Sequence, residues 1–320
     1  RQDNPLTVLG SEYTDEDGNV YAFDNDGEKK WAYPDTFSTD EIPTTPVIDG
    51  SSIYVGSEGS FVMKLTDDGS ATKAWSTMLA DEVIASPVLG TDKLVVADDS
   101  GYVYSIDPAT GAINGSFMTS SEISASPALG AGGEVYVGTA QGKLWAFNAA
   151  CGDTLWTYEI VPFASINGSA VIDNDGNIYF GADNGYIYKL NSAGEVASNF
   201  PKLLSAGGIA ATPLLCADDV IYAQSDDDKL YAITPTGGDH WANPVDLVLS
   251  ADGSRGGRPR AMGIDDLTPS PVVDQYGIIY VASTTDALFA VAGRLTGTLA
   301  NAPWPMFQHD AQHTGKFGSW

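Results

Sequence analysis

Residues 142–148, Gly-Lys-Leu-Trp-Ala-Phe-Asn, are one copy of a seven-residue phrase that occurs seven times in the chain. The others are 18–24 (GNVYAFD), 60–66 (SFVMKLT), 101–107 (GYVYSID), 185–191 (GYIYKLN), 228–234 (DKLYAIT) and 286–292 (DALFAVA). The central large residue stands at Tyr21, Met63, Tyr104, Trp145, Tyr188, Tyr231 and Phe289, at spacings of 42, 41, 41, 43, 43 and 58 residues. A period sustained over almost the whole chain means one supersecondary unit copied many times.

Each copy alternates apolar and polar positions and is rich in aromatic and β-branched residues, the pattern of a short strand with two differently packed faces. A second strand precedes each phrase, at 6–9, 53–55, 94–96, 135–137, 178–180, 220–222 and 278–281. Six of these follow a third, at 45–47, 86–88, 126–128, 169–171, 212–214 and 270–272, usually opening on Ser-Pro or Thr-Pro. After the phrase a Gly-containing turn leads to an aromatic residue: Trp31, Trp75, Phe117, Trp156, Phe200, Trp241 or Trp304. Four antiparallel strands joined by Gly, Asp and Asn turns make a propeller blade. The expectation is therefore all-β: a seven-bladed β-propeller occupying 1–320 as a single domain. The first repeat opens on its second strand and the last is followed by a surplus tail. Since open sheet edges must be covered, residues 316–320 are expected to complete blade one.

Charge is the strongest signal in the composition. Fifteen basic residues against 42 acidic ones give a net charge of −27. Such a surface repels nucleic acid and anionic membranes and stays hydrated in a salty medium. No apolar run reaches the ~18 residues of a membrane-spanning helix, so neither membrane insertion nor a nucleic-acid partner is expected. The two cysteines, Cys151 and Cys216, fall at different radii two blades apart, beyond disulfide reach. A monomer is expected.

Three features bear on function. Asp15-Glu16-Asp17-Gly18, Asp24-Asn25-Asp26-Gly27 and Asp173-Asn174-Asp175-Gly176-Asn177 resemble fragments of Ca²⁺ loops. None has the carboxylate at the twelfth position that an EF-hand-type loop requires, and Asp, Asn and Gly are equally the residues of tight turns. Asp173, Asp175 and Asn177 are the best candidate metal ligands. The aromatic series recurs once per blade, which suits packing between blades better than ligand stacking. Finally, the 58-residue spacing marks an insertion of about 16 residues around 246–266, carrying Arg255, Arg258 and Arg260 on a Gly-rich loop. Arginine forks bind carboxylate, sulfate or phosphate, so these three are the candidate ligand-binding residues, and pairing with the protein's own carboxylates is the competing account. His309 and His313 lack the Glu that follows the first His in zinc proteases, and no nucleophile elbow or phosphate loop is present.

The repeat Ser-Pro…Val-Tyr-Val-Gly…Gly-x-Leu-Tyr-Ala-Leu-Asp…Thr-Gly…Trp, plainest at 126–156 and 86–111, resembles the pyrroloquinoline-quinone (PQQ) propeller repeat. The tail at 303–315 resembles the closing segment of secreted bacterial proteins of that superfamily. The resemblance implies one of two classes. Quinoprotein dehydrogenases hold PQQ and Ca²⁺ at the channel mouth, typically in eight-bladed rings, many with a vicinal disulfide. Non-catalytic scaffolds, such as the lipoprotein of the outer-membrane β-barrel assembly machinery, offer their faces to partners. Seven repeats and no Cys-Cys pair resemble the second class. The expectation is a periplasmic or extracellular binding or scaffold module rather than an enzyme, recognising a protein or acidic polysaccharide at the channel-mouth face, with no cofactor. Bound Ca²⁺ is compatible with this. The alternatives are a PQQ- and Ca²⁺-dependent oxidoreductase and a propeller polysaccharide lyase.

Overall fold

A computed structural model describes residues 7–10, 19–24, 26–33, 41–148, 150–217, 219–247, 270–274, 276–282 and 288–292. The described residues form no helix; the alternating segments fold as strands, gathered into seven antiparallel sheets, five of four strands and two of three. The chain is a seven-bladed β-propeller. Blade two is typical: Val47–Asp49, Ser52–Ser57, Phe61–Asp67 and Ala71–Met78 lie side by side in that order. Among the described residues blade one contains Thr7–Gly10, Val20–Phe23 and Lys29–Tyr33, paired in that order. Blade seven contains Val272–Val273, Ile278–Ala282 and Leu288–Ala292. The closing strand expected at 316–320, together with Trp304, His309 and His313, lies outside the described residues.

Burial follows radius. The second strand of blades three, four and five is buried at every position, because a neighbouring blade covers each of its faces. The outer strand alternates: in Ala71–Met78 every other residue is half-buried and those between are exposed. A bulge interrupts the pairing of phrase and outer strand at the same place in blades one to four, between Ala22 and Phe23, Lys64 and Leu65, Ser105 and Ile106, and Ala146 and Phe147. A bulge adds local right-handed twist, so the repeat carries a built-in device for splaying each blade.

Two side-chain devices join blade to blade. The hydroxyl of the Ser/Thr in the inner segment accepts an amide hydrogen from the same position in the preceding blade. Ser86 Oγ takes Thr45 N–H at 2.8 Å, Ser126 Oγ takes Ser86 N–H at 2.9 Å, Thr212 Oγ1 takes Ser169 N–H at 3.0 Å and Ser270 Oγ takes Thr212 N–H at 3.1 Å. The last of these spans 58 residues, so the insertion leaves the latch in register. The recurring tryptophan works at larger radius. Trp75 donates its indole N–H to Pro108 O of blade three and Trp156 donates to Ser192 O of blade five. Each ring also packs on a tyrosine of its own second strand, Trp75 on Tyr54 and Trp156 on Tyr136, with centroids 6.0 and 5.8 Å apart. The packing role expected for the series holds at these positions. Cys151 and Cys216 are buried and are not joined in a disulfide.

Candidate protein-binding face

In blades two to five the turn between second and third strands and the connection from the outer strand to the next blade emerge on one face. The other turns emerge on the opposite face. One backbone bond recurs on the first face and fixes each turn against the connection entering the same blade. Glu58 N donates to Glu41 O, Asp99 N to Glu82 O, Ala140 N to Glu122 O, Asp183 N to Ser165 O and Asp226 N to Gly208 O, all at 2.8–3.0 Å. Repetition of this bond brings the paired positions of successive blades to one height. At those positions stand Glu41 and Glu58, Glu82 and Asp99, Glu122, Asp183 and Asp226, a recurring set of carboxylates.

Their electrostatics differ. Asp98 is fully buried but satisfied, accepting hydrogens from Ser100 Oγ, Tyr102 N and Tyr104 Oη at 2.8, 2.9 and 2.8 Å. Burial raises the pKa of the adjacent Asp99, and the negative charges of Glu122, Asp81, Glu82 and Asp98 push it the same way. Burial likewise raises that of Asp183, opposed by hydrogen bonds from Asn167 and Ser165. Asp227 is neutralised locally: Tyr231 Oη donates to it at 2.6 Å and Lys229 Nζ lies 3.2 Å away.

Outside the carboxylates the same face carries apolar side chains. Met78 and Met118 end the outer strands of blades two and three, Val161 and Phe163 follow that of blade four, and Leu203 ends that of blade five. All are exposed, Val161 at 84% and Phe163 at 65%. Between blades three and four the face opens into a cavity of about 540 Å³ lined by Ser100, Met118, Ser120, Ser121, Glu122, Ala140 and Gln141. An acidic inner set with an apolar outer arc favours a partner bearing cations and greasy side chains.

The residues singled out from sequence fall elsewhere. Arg255, Arg258 and Arg260 lie outside the described residues. Asp173, Asp175 and Asn177 occupy a turn on the opposite face, where Asp173 acts as a turn acceptor. Its Oδ1 takes the amides of Asp175 and Asn177 at 3.0 and 2.8 Å, and its Oδ2 takes Asn177 Nδ2 and Tyr179 Oη at 2.7 and 2.9 Å. Asp274 caps the equivalent turn of blade seven, and Asp24 the turn before the outer strand of blade one, each through the amides two and four residues on. Among the described residues no three His, Cys, Asp or Glu converge as a metal cage. The acidic set was missed, although a signal existed: Glu58, Asp99, Asp183 and Asp226 each follow closely on the second strand of their blade.

Comparison with known proteins agrees with the fold. The chain matches the family described as outer membrane protein assembly factor BamB over residues 16–243. It is 25% identical over 278 residues to the outer membrane protein assembly factor BamB of Moranella endobia (strain PCIT), covering 78% of this chain and 71% of that protein. The crystal structure of BamB from Moraxella catarrhalis is similar at a TM-score of 0.63 and 21% identity, over 93% of this chain and 87% of that one.

Proposed function

The chain belongs to the outer membrane protein assembly factor BamB family, and from that premise we propose that it is a non-catalytic, periplasmic or extracellular scaffold that docks a protein partner on its turn face. The observation that carries the reading is the coincidence, on one face, of repeated carboxylates with exposed Met78, Met118, Val161, Phe163 and Leu203. Apolar anchors supply the affinity of a protein interface, and charge around them sets orientation and on-rate. An acidic polysaccharide is the weaker candidate for this face, since its charge has the same sign as the carboxylates.

A photo-crosslinking residue placed at Phe163 should capture protein components of outer-membrane assembly in the native host. One at Tyr276, exposed in the first turn of blade seven on the opposite face, should not. Equal capture at both positions would overturn the reading. So would dye-linked alcohol or sugar oxidation on addition of PQQ and Ca²⁺, or release of new reducing ends from an acidic glycan.

A second contact is proposed from sequence for Arg255, Arg258 and Arg260. Replacing all three by Ala should abolish binding of a carboxylate-bearing partner and leave the melting temperature within a few degrees. A large loss of stability with binding unchanged would instead assign them to internal ion pairs.

A further inference from the structure

The outer strand of a blade shows solvent a row of unpaired amides and carbonyls, and proteins protect such edges with charge, shortness, proline or bulges. Most blades here comply. Lys29–Tyr33 opens on two lysines, Lys202–Leu203 and Val245–Asp246 are two residues long, and Thr154–Glu159 ends on a carboxylate. Blade two does not. Its outer strand, Ala71–Met78, runs for eight residues with Lys73 as its one charge, and Lys73 lies on the half-buried side with Ala71, Trp75 and Thr77. The exposed side carries Thr72, Ala74, Ser76 and Met78, all uncharged; the bulge falls at Ala74, between Lys73 and Trp75, so Trp75–Met78 is the regularly paired stretch offered to a partner.

Backbone direction follows from one bond. Leu79 N donates inward to Ser60 O at 2.8 Å. Amides alternate in direction along a strand, so Thr77 also faces its partner Val62, while Met78 and Ser76 direct their N–H groups away from the blade. Carboxylates stand at both ends of this neutral row, Asp67 and Asp68 before it and Asp81 and Glu82 after it.

We propose that the outer edge of blade two is a strand acceptor. It takes an extended segment of a partner protein, uncharged and alternating in the middle and basic at both ends, as a fifth strand. The charges argue against a second copy of this chain. Antiparallel pairing of two such strands would set Asp67 and Asp68 of one against Asp81 and Glu82 of the other, in molecules each carrying −27. Basic ends on a partner turn the same four carboxylates into attraction. The edge shares Met78 and Glu82 with the turn face, but Val161 and Phe163 follow the outer strand of blade four, so replacing those two separates the edge contact from the turn-face contact.

The probe is a short dye-labelled peptide of alternating threonine and valine flanked by paired lysines, read by fluorescence anisotropy on the whole chain. Ser76→Pro removes an outward donor without touching the ladder. It should weaken binding about tenfold, the effect of losing roughly 1.4 kcal/mol, while Ser76→Ala and the Val161→Asp/Phe163→Asp pair bind as the parent does. A backbone N-methylated peptide makes the same test without altering the protein and should fail to bind. No binding by the parent chain, equal binding by Ser76→Pro, or full binding of the N-methylated peptide would each overturn the proposal. Concentration-dependent dimers in sedimentation that Ser76→Pro abolishes would overturn it too, by giving the edge to a second copy.

Discussion

Asp173 shows how one residue type can serve local architecture while imitating a ligand set. Four donors already surround its carboxylate. Asp173→Ala strands two amides and the Tyr179 hydroxyl and should cost about 1–2 kcal/mol in denaturant unfolding. If the loop only turns the chain, EDTA leaves the melting temperature of the parent unchanged. A Ca²⁺-dependent rise that Asp173→Ala abolishes would establish the metal site instead. Asp99 makes a pH prediction. Its folded-state pKa is raised, first by burial and then by neighbouring carboxylates, so the folded chain holds that proton more tightly than the unfolded one. The associated stability is present in acid and lost as pH rises through the folded value. Asp99→Asn should therefore stabilise the protein at neutral pH and flatten the change in stability between neutrality and the ordinary aspartate range. An unchanged profile in thermal melts would show that Asp99 is fully solvated. Neither role was legible from the residue alone, since DNDG and DDSG read identically as turns and as acidic clusters.

At the scale of the element, the repeat was legible because each of its positions has a fixed packing duty. The small residue ending the second strand is an example: a β-carbon at Gly181 would overlap Ile209 of the connection to the next blade. The Ser/Thr-Pro position is another, read from sequence only as a strand opening and found to be a latch between blades. Ser86→Ala leaves the Thr45 amide without its acceptor, and Thr212→Ala does the same to Ser169. Each should cost about 1–3 kcal/mol. The two latches share no partner, so their costs in urea unfolding should add within about 0.5 kcal/mol. A strongly sub-additive double mutant would mean that the blades yield one at a time rather than together. The uncharged exposed side of Ala71–Met78 was not read from sequence for a simple reason: ATKAWSTM does not announce which of its two alternating sides the neighbouring blade covers.

For the whole molecule the governing quantity is the net charge of −27. Self-repulsion on that scale is screened by salt, whose Debye length falls from ~30 Å at 0.01 M to ~3 Å at 1 M. The melting temperature should therefore climb steadily with NaCl over that range, as read by calorimetry. A flat response would show that the carboxylates are already balanced locally, as Asp24 is by Lys30. Binding on the turn face should move in the opposite direction. Its on-rate for a cationic partner should fall with salt, and fall again when Glu82, Asp99 and Glu122 are all replaced by Lys.

Periodicity of the phrase, taken alone, determined the class, the number of blades, the four-strand plan and the packing role of the tryptophans. It could do so because each blade contacts only its neighbours, so the same local demands are written out again in every repeat. Which carboxylates share a face, which apolar ends form an arc across blades two to five, and which strand edge is left uncharged were decided by tertiary structure. Those groups lie about 40 residues apart in the chain, and only the turning of one blade against the next brings them side by side.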